Sequence, residues 1–445
     1  MNHENIPLCI TSPIDLSSPN ERISIYEGQF TLKYKGGECS VEGEIYYSWF
    51  PTNCAKFICQ MSVYPKDLDT FQSFEIWING LIFSAAATVS ESSHGANFMV
   101  KGQCKDGAVL GDRSLPVNEI TFVVPNLKLL EEGHIRDATH MFLGRTELVH
   151  GKFIVTLDAF RDHRDRFKAL NAQGGFHLTY RGAIKKVKGN IRLKEIDQLT
   201  YALSNFLFFI NGRRVAPVFL TGVCNGEKLW TEYSPVKIDP YKYVESWAQS
   251  QLLSGLNKMW VRFNELWLDE NDRDFLETAI HWYVEANSNS GYVEGSIIFG
   301  QTALELLYNW LILEQKKMIK GSDAEGLSAA NKIRLLIAQF NVDSEVPIAF
   351  KDLKKCIPEE DGPGSFVFIR NCLVHGQEKK RIQLKKMELM GKHEAVQLGV
   401  WYIELALLYI LRFDKHYHNR TARRIYVDKG DLLPWVNTTS SAATI

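Results

Sequence analysis

Two hydrophobic periodicities divide this chain, and they constrain its fold more than any other feature. Before about residue 235 apolar side chains alternate with polar ones and the runs are broken by Asn-Gly pairs: Asn79-Gly80 in FEIWINGLIFSA, Asn211-Gly212 in FLFFINGRRVAPVFL and Asn225-Gly226 in TGVCNGEKLWTEY. Asn-Gly between apolar runs marks a two-residue hairpin, because both residues tolerate the positive φ of a type I′ turn. Three such pairs predict antiparallel sheet. KFIVTLDAF and FHLTYRGAI add period-two strands, the second placing Phe176, Leu178 and Tyr180 on one face and His177, Thr179 and Arg181 on the other. The expectation is one or two sandwich-like units, with a short helix near LKLLEEG.

Pro235 and Pro240, in YSPVKIDPYKY, mark a linker, and beyond it the period changes. Val244, Trp247, Leu253, Leu256, Trp260, Phe263 and Trp267 recur at three- and four-residue steps, the stripe of an amphipathic helix. GSIIFGQTALELLYNWLILEQKKM is apolar nearly all round and reads as a central helix. Further helices are expected over 326–340, 365–375 and 393–415. The fold class read here is multidomain α+β: a β-rich antiparallel region over 1–239, an all-α bundle over 240–428 and a flexible tail over 429–445.

Composition narrows the function. With 445 residues the chain is long enough for two or three domains with real cores. A formal net charge of −1 argues against a protein held to nucleic acid or membrane by bulk charge, leaving room for a local basic patch. The eight cysteines are scattered without a CxxC pair and read as reduced thiols. MNHENIPLCITSPIDL lacks the basic start and apolar run of a signal peptide, so the expected location is cytoplasmic. VQLGVWYIELALLYILRF, residues 396–413, carries Gln397, Glu404 and Arg412, which are costly at bilayer depth, and reads as a buried bundle helix instead of a membrane span.

One stretch joins apolar helix residues to polar chemistry. In SFVFIRNCLVHGQ, residues 365–377, Phe366, Ile369 and Leu373 fall on one face, while Gly376 supplies a C-terminal stop. Asn371 and His375 lie about 40° apart round the helix and Arg370 about 140° from His375. A second copy of the helix across a two-fold axis would complete such a group. Arginine, asparagine and histidine suit RNA cleavage without a metal. Histidine titrates near neutrality and can take a proton from a ribose 2′-hydroxyl or return one to the leaving oxygen. Arginine grips a phosphate and stabilises its developing charge. The same residue types also serve a helix C-terminus simply by capping carbonyls and opposing the dipole, so the spacing leaves both readings open.

Arg370-Asn371-x-x-x-His375-Gly376, late in an all-helical region and followed by a long helix, resembles the RxxxxH motif of the HEPN superfamily, and ALELLYNWL with Glu305 resembles the helix packed against it. The resemblance covers about residues 241–428, and the layout with a β-rich N-terminal region resembles the ApeA-like abortive-infection proteins. It implies a helical bundle that dimerises and a metal-independent endoribonuclease in anti-phage defence, with catalytic roles for Arg370 and His375, Asn371 supporting and Glu305 as a further support. It equally allows a non-catalytic module for nucleotide binding or dimerisation. No metal or cofactor is expected. RNA, transfer RNA among the candidates, is the expected partner, with a protein trigger acting on the β-rich half.

KKRIQLKK puts Lys379, Lys380 and Arg381 directly after the motif, where they would hold RNA phosphates, and RTARR follows at 420–424. His134 and His140, and His416 and His418, lack metal-ligand spacing and read as surface histidines. Cys54, Cys59 and Cys372 read as unreactive thiols.

Overall fold

The computed structural model describes residues 6–34, 37–61, 72–78, 81–89, 98–104, 107–130, 132–248, 254–288, 292–422 and 430–436. The chain forms two compact units. The first comprises Met1–Lys128, Gly133–Ser204 and Val215–Tyr243, and the second Leu129–Glu132, Asn205–Arg214 and Val244–Ile445. The β-rich N-terminal half and helical C-terminal half are those the periodicities announce.

The first unit holds two antiparallel sheets. Strands β1 (Ile23–Tyr34), β2 (Gly37–Ser48), β3 (Cys54–Met61), β4 (Gln72–Ile78), β5 (Leu81–Val89) and β6 (Phe98–Cys104) close into a barrel in the order β1-β2-β3-β6-β5-β4. Asn79-Gly80 lies outside the described residues, and the strands flanking it pair with Ile78 opposite Leu81. The second sheet has eight strands: β7 (Val109–Gly111), β8 (Glu119–Pro125), β9 (Gly133–Arg136), β10 (Met141–His150), β11 (Phe153–Ala159), β12 (Leu178–Lys186), β13 (Val218–Cys224) and β14 (Glu227–Glu232), ordered β7-β14-β13-β8-β12-β11-β10-β9. The sandwich expectation is therefore corrected to a closed barrel beside an open sheet. Closure removes both edges of the first sheet, which alternation alone cannot announce.

Asn225-Gly226 is the expected hairpin, with φ of 51° and 86° at its two residues. Asn211-Gly212 is not. FLFFIN ends a helix: α1 (His163–Gln173) and α2 (Leu193–Asn211) interrupt the strands, and Gly212, at φ 74°, closes α2 by donating its N–H to the Phe208 carbonyl. Leu203, Phe206, Leu207 and Ile210 are all buried, a three-and-four spacing that a window limited to FLFFI hides. LKLLEEG forms no helix over its described residues 127–130, and Leu127 and Leu130 are buried in irregular chain. His177 and Thr179, assigned to a polar strand face, are buried as well, so β12 is covered on both faces.

The second unit is the bundle: α3 (Leu256–Leu268), α4 (Glu270–Ser288), α5 (Val293–Tyr308), α6 (Ser322–Gly326), α7 (Ala329–Ala338), α8 (Lys351–Cys356), α9 (Gly362–His375), α10 (Glu378–Lys386) and α11 (Leu389–Ile410). The stripe read from Val244 begins as helix only at Leu256; Val244 and Trp247 precede it in irregular chain, and Trp247 is fully buried. α5 continues into a π-helical segment, Asn309–Gln315, where Trp310 stacks on Phe275 at 4.4 Å and donates to Asp272. Val293–Gln315 is the one described helical stretch long and apolar enough to cross a membrane, and most of it is buried within the bundle. Of the expected tail, residues 429 and 437–445 lie outside the described residues, whereas 430–436 are packed: Asp431–Leu432 pairs with His416–Tyr417, Leu433 is buried, and Trp435 packs edge-on against Tyr409 and Phe340.

α9 is positioned by one aromatic ring. Phe366 sits between Gly300 of α5 and Gly399 of α11; a Cβ on Gly399 would lie 2.4 Å from the ring. Gly399→Ala is therefore expected to destabilise the fold by about 1–3 kcal/mol through overpacking, despite the roughly 1 kcal/mol by which alanine favours a helix interior. A urea midpoint at or above wild type would show that the ring can move aside.

Candidate active site

Asp361 caps the start of α9. Its carboxylate accepts from the Gly364 N–H at 2.8 Å and takes a bidentate pair from Arg334 of α7, at 2.7 Å to each oxygen. Burial opposes its ionisation, but those bonds prevail and hold the carboxyl below its usual range. Gly362, Pro363, Gly364, Ser365 and Phe366 are buried at the capped end. A Cβ on Gly362 would lie 2.4 Å from the Tyr402 hydroxyl, so only glycine admits this approach. α9 packs on α5, α7 and α11, and its last turn emerges at the surface.

The last two turns carry the residues singled out from the sequence. Arg370 and Asn371 are half-buried, and the Arg370 guanidinium donates from Nη1 to Asn371 Oδ1 at 3.0 Å. His375 is exposed at the C-terminus of the helix, before Gly376 at φ 56°, and makes no hydrogen bond among the described residues. Phe366 and Ile369 line the buried face as expected; Leu373 is only half-buried, and Cys372 fills the core position. Burial pushes the Cys372 thiol pKa up, and its Sγ lies 3.9 Å from Gln383 Oε1.

The basic run forms α10, a surface helix with no buried residue that folds back on α9. Arg381 donates to the Gly376 carbonyl, at the helix end where orphan acceptors gather, and the Lys380 ammonium sits 5.0 Å from the Phe368 ring centroid. Lys379 is exposed. The three basic residues thus follow His375 within six positions along the chain. Glu305 lies apart from this pairing: its carboxylate binds Lys332 of α7 at 2.7 Å.

RTARR is a different matter. Arg420 is buried and its guanidinium donates twice to Glu404 of α11, at 2.7 Å each, so it is not available to a phosphate; residues 423 and 424 lie outside the described residues. Glu404 also accepts from the Trp247 N–H and the Tyr283 hydroxyl. His418, read as a surface histidine, pairs through Nε2 with Glu245 at 2.5 Å. This network joins α4, α11 and the chain on either side of the bundle. Sequence reading missed it because its members lie up to 175 positions apart; Glu404 within an apolar run was the single available signal. Among the described residues no group of three or more His, Cys, Asp or Glu side chains is placed to hold a metal ion.

Comparison with known proteins follows the same division. Residues 112–244, from β8 through the linker, match the family model of the YopA central domain, and residues 269–429, from α4 onward, match that of the YopA C-terminal domain. No solved structure matches the chain. A curated relative, the SPbeta prophage-derived uncharacterized protein YopA of Bacillus subtilis (strain 168), is 29% identical over 426 residues, spanning 94% of this chain and 95% of its own length. Over nearly its whole length, barrel included, the chain is therefore similar to YopA.

Proposed function

We propose that this protein is a metal-independent endoribonuclease of the HEPN type acting in anti-phage defence, with the last turn of α9 as its reacting centre. The observation that carries the reading is the exposed His375, without a hydrogen bond among the described residues, one turn beyond the Arg370–Asn371 pair and followed in the chain by Lys379, Lys380 and Arg381. One imidazole takes the proton of a ribose 2′-hydroxyl as its oxygen attacks the adjoining phosphorus. The bond to the 5′-oxygen breaks, a second imidazole protonates that oxygen, and a cyclic phosphate remains. Arg370 stabilises the charge on the non-bridging oxygens, and Asn371 orients its guanidinium.

Two imidazoles on one phosphate require two chains. Exposed apolar side chains at Val374, Ile382, Leu389 and Met390, on the end of α9, on α10 and at the start of α11, support an interface between copies there. Similarity to a prophage-derived protein supports the defence setting. The same apolar group also supports the second reading, a dimerisation or nucleotide-binding module without cleavage.

Incubation with total RNA and transfer RNA in EDTA separates the two. Cleavage leaving cyclic-phosphate ends is expected, and a single 2′-deoxy substitution at the cut nucleotide should block it, since the nucleophile is then missing. Cleavage of DNA, or no cleavage of any RNA, counts against the nuclease.

A further inference from the structure

The open sheet of the first unit carries a trough that the nuclease reading does not use. Strand register places Glu147 of β10, Thr156 of β11, Ala183 of β12, Thr121 of β8 and Thr221 of β13 in one row across the sheet. The short side chains of this row, with Glu147 at its end, floor a cavity of about 760 Å³, within the range of ligand sites. Two residues further along the strands runs a parallel row containing Ile154, Lys185, Glu119, Val223 and Lys228, with Lys185 and Glu119 paired at 3.3 Å. This row is one rim.

The opposite wall is extended chain, residues 8–13. It steps across the strands: Cys9 donates its N–H to Arg136 of β9, Arg145 of β10 donates to the Leu8 carbonyl, and the Ile10 N–H donates to Asp158 of β11. Beyond Ile10 the Ser12 hydroxyl turns back to donate to the Ile14 carbonyl, while neither the Thr11 nor the Ser12 N–H finds an acceptor among the described residues. The Thr121 and Thr156 hydroxyls on the floor likewise have no partner among them.

From this juxtaposition we infer that the trough binds an extended peptide of small side chains with opposite charges at its two ends. The unpaired N–H groups of the wall offer main-chain hydrogen bonds, the means by which strands are added to an exposed edge. From β10 to Lys228 on β14 the trough spans five inter-strand spacings, about 24 Å, the length of about seven extended residues. Glu147 stands at the β10 end and Lys228 at the β14 end, neither engaged in a hydrogen bond or ion pair among the described residues. Opposite charges on the ligand complement them. The lining contains no aromatic ring on which a base could stack, which turns the choice away from nucleic acid.

Fluorescein-labelled heptapeptide pools, with alanine, serine, threonine or valine at the five central positions, test this by anisotropy on the full chain. The pool with one lysine end and one glutamate end should bind at least about tenfold more tightly than pools with two lysines or two glutamates. Glu147→Lys should shift the preference to the two-glutamate pool. Thr121→Trp, which fills the floor, should weaken binding at least about tenfold with the circular dichroism unchanged, and Thr156→Trp reads the same property should that variant fail to fold. No binding of the mixed-charge pool, equal binding of all three, or unchanged binding in the tryptophan variant overturns the inference. So does a labelled oligosaccharide mixture that binds this face where the peptides do not.

Discussion

His375→Ala is expected to lose about 10²–10⁴ in RNA cleavage rate, the contribution of a positioned general acid or base. The fold should be untouched, because the side chain is exposed and makes no hydrogen bond among the described residues, so nothing is left unpaired by its removal. The assay therefore separates chemistry from stability. A mixed dimer of one wild-type and one His375→Ala chain sharpens it: if two imidazoles serve one phosphate, such a dimer falls far below half activity. Half activity, or a fully active monomer by light scattering, would show that each chain works alone. Retained cleavage in the homogeneous variant removes His375 from the reaction altogether.

Arg420→Ala should cost about 3–5 kcal/mol of stability, the typical result of removing one partner of a buried ion pair. The guanidinium meets Glu404 twice at 2.7 Å, the Glu245 carbonyl at 2.7 Å, Asn287 at 2.8 Å and Gln397 at 3.0 Å. Without it the Glu404 carboxylate, which is wholly buried, keeps only the Trp247 N–H and the Tyr283 hydroxyl. Urea unfolding should show a lowered midpoint with unchanged slope; a loss below about 1 kcal/mol would mean that water enters and resolvates the carboxylate. Glu245 adds a pH dependence. Burial opposes its charge, yet the bond from His418 and the nearby Arg420 hold its pKa below the ordinary value. Its contribution is present above the usual carboxylate range and disappears as pH falls through its folded pKa.

The fold class was legible because period two and period 3.6 report which side chains share a face, and burial acts on faces. Asn225-Gly226 was legible as a turn for the same local reason. Asn211-Gly212 shows the limit: Asn-Gly also ends helices, and FLFFI fits a strand and a buried helix equally well. The barrel was not legible, since closure depends on β1 meeting β4, a pairing no local pattern encodes. At the candidate site the four-residue step from Asn371 to His375 gave a shared helix face, with Arg370 set off from it, but the bond between Arg370 and Asn371 and the folding back of α10 are tertiary facts. The ion pair of Glu305 with Lys332 depends on how α7 packs on α5, which spacing does not contain.

The division of α2 bears on where this chain can be shortened. Leu193–Ser204 belongs with the first unit, while the residues from Asn205 belong with the second, where Phe206 packs on Trp260 and Phe263 and Phe209 on Trp247 and Tyr283. A cut in the linker at 233–243 would leave two rings of the helical unit's core, Phe206 and Phe209, on the upstream fragment. A chain shortened to residue 240 onward would lose those rings and expose the faces of four aromatic partners, Trp260, Phe263, Trp247 and Tyr283. The core of the helical unit is therefore completed by residues that precede the linker in the chain.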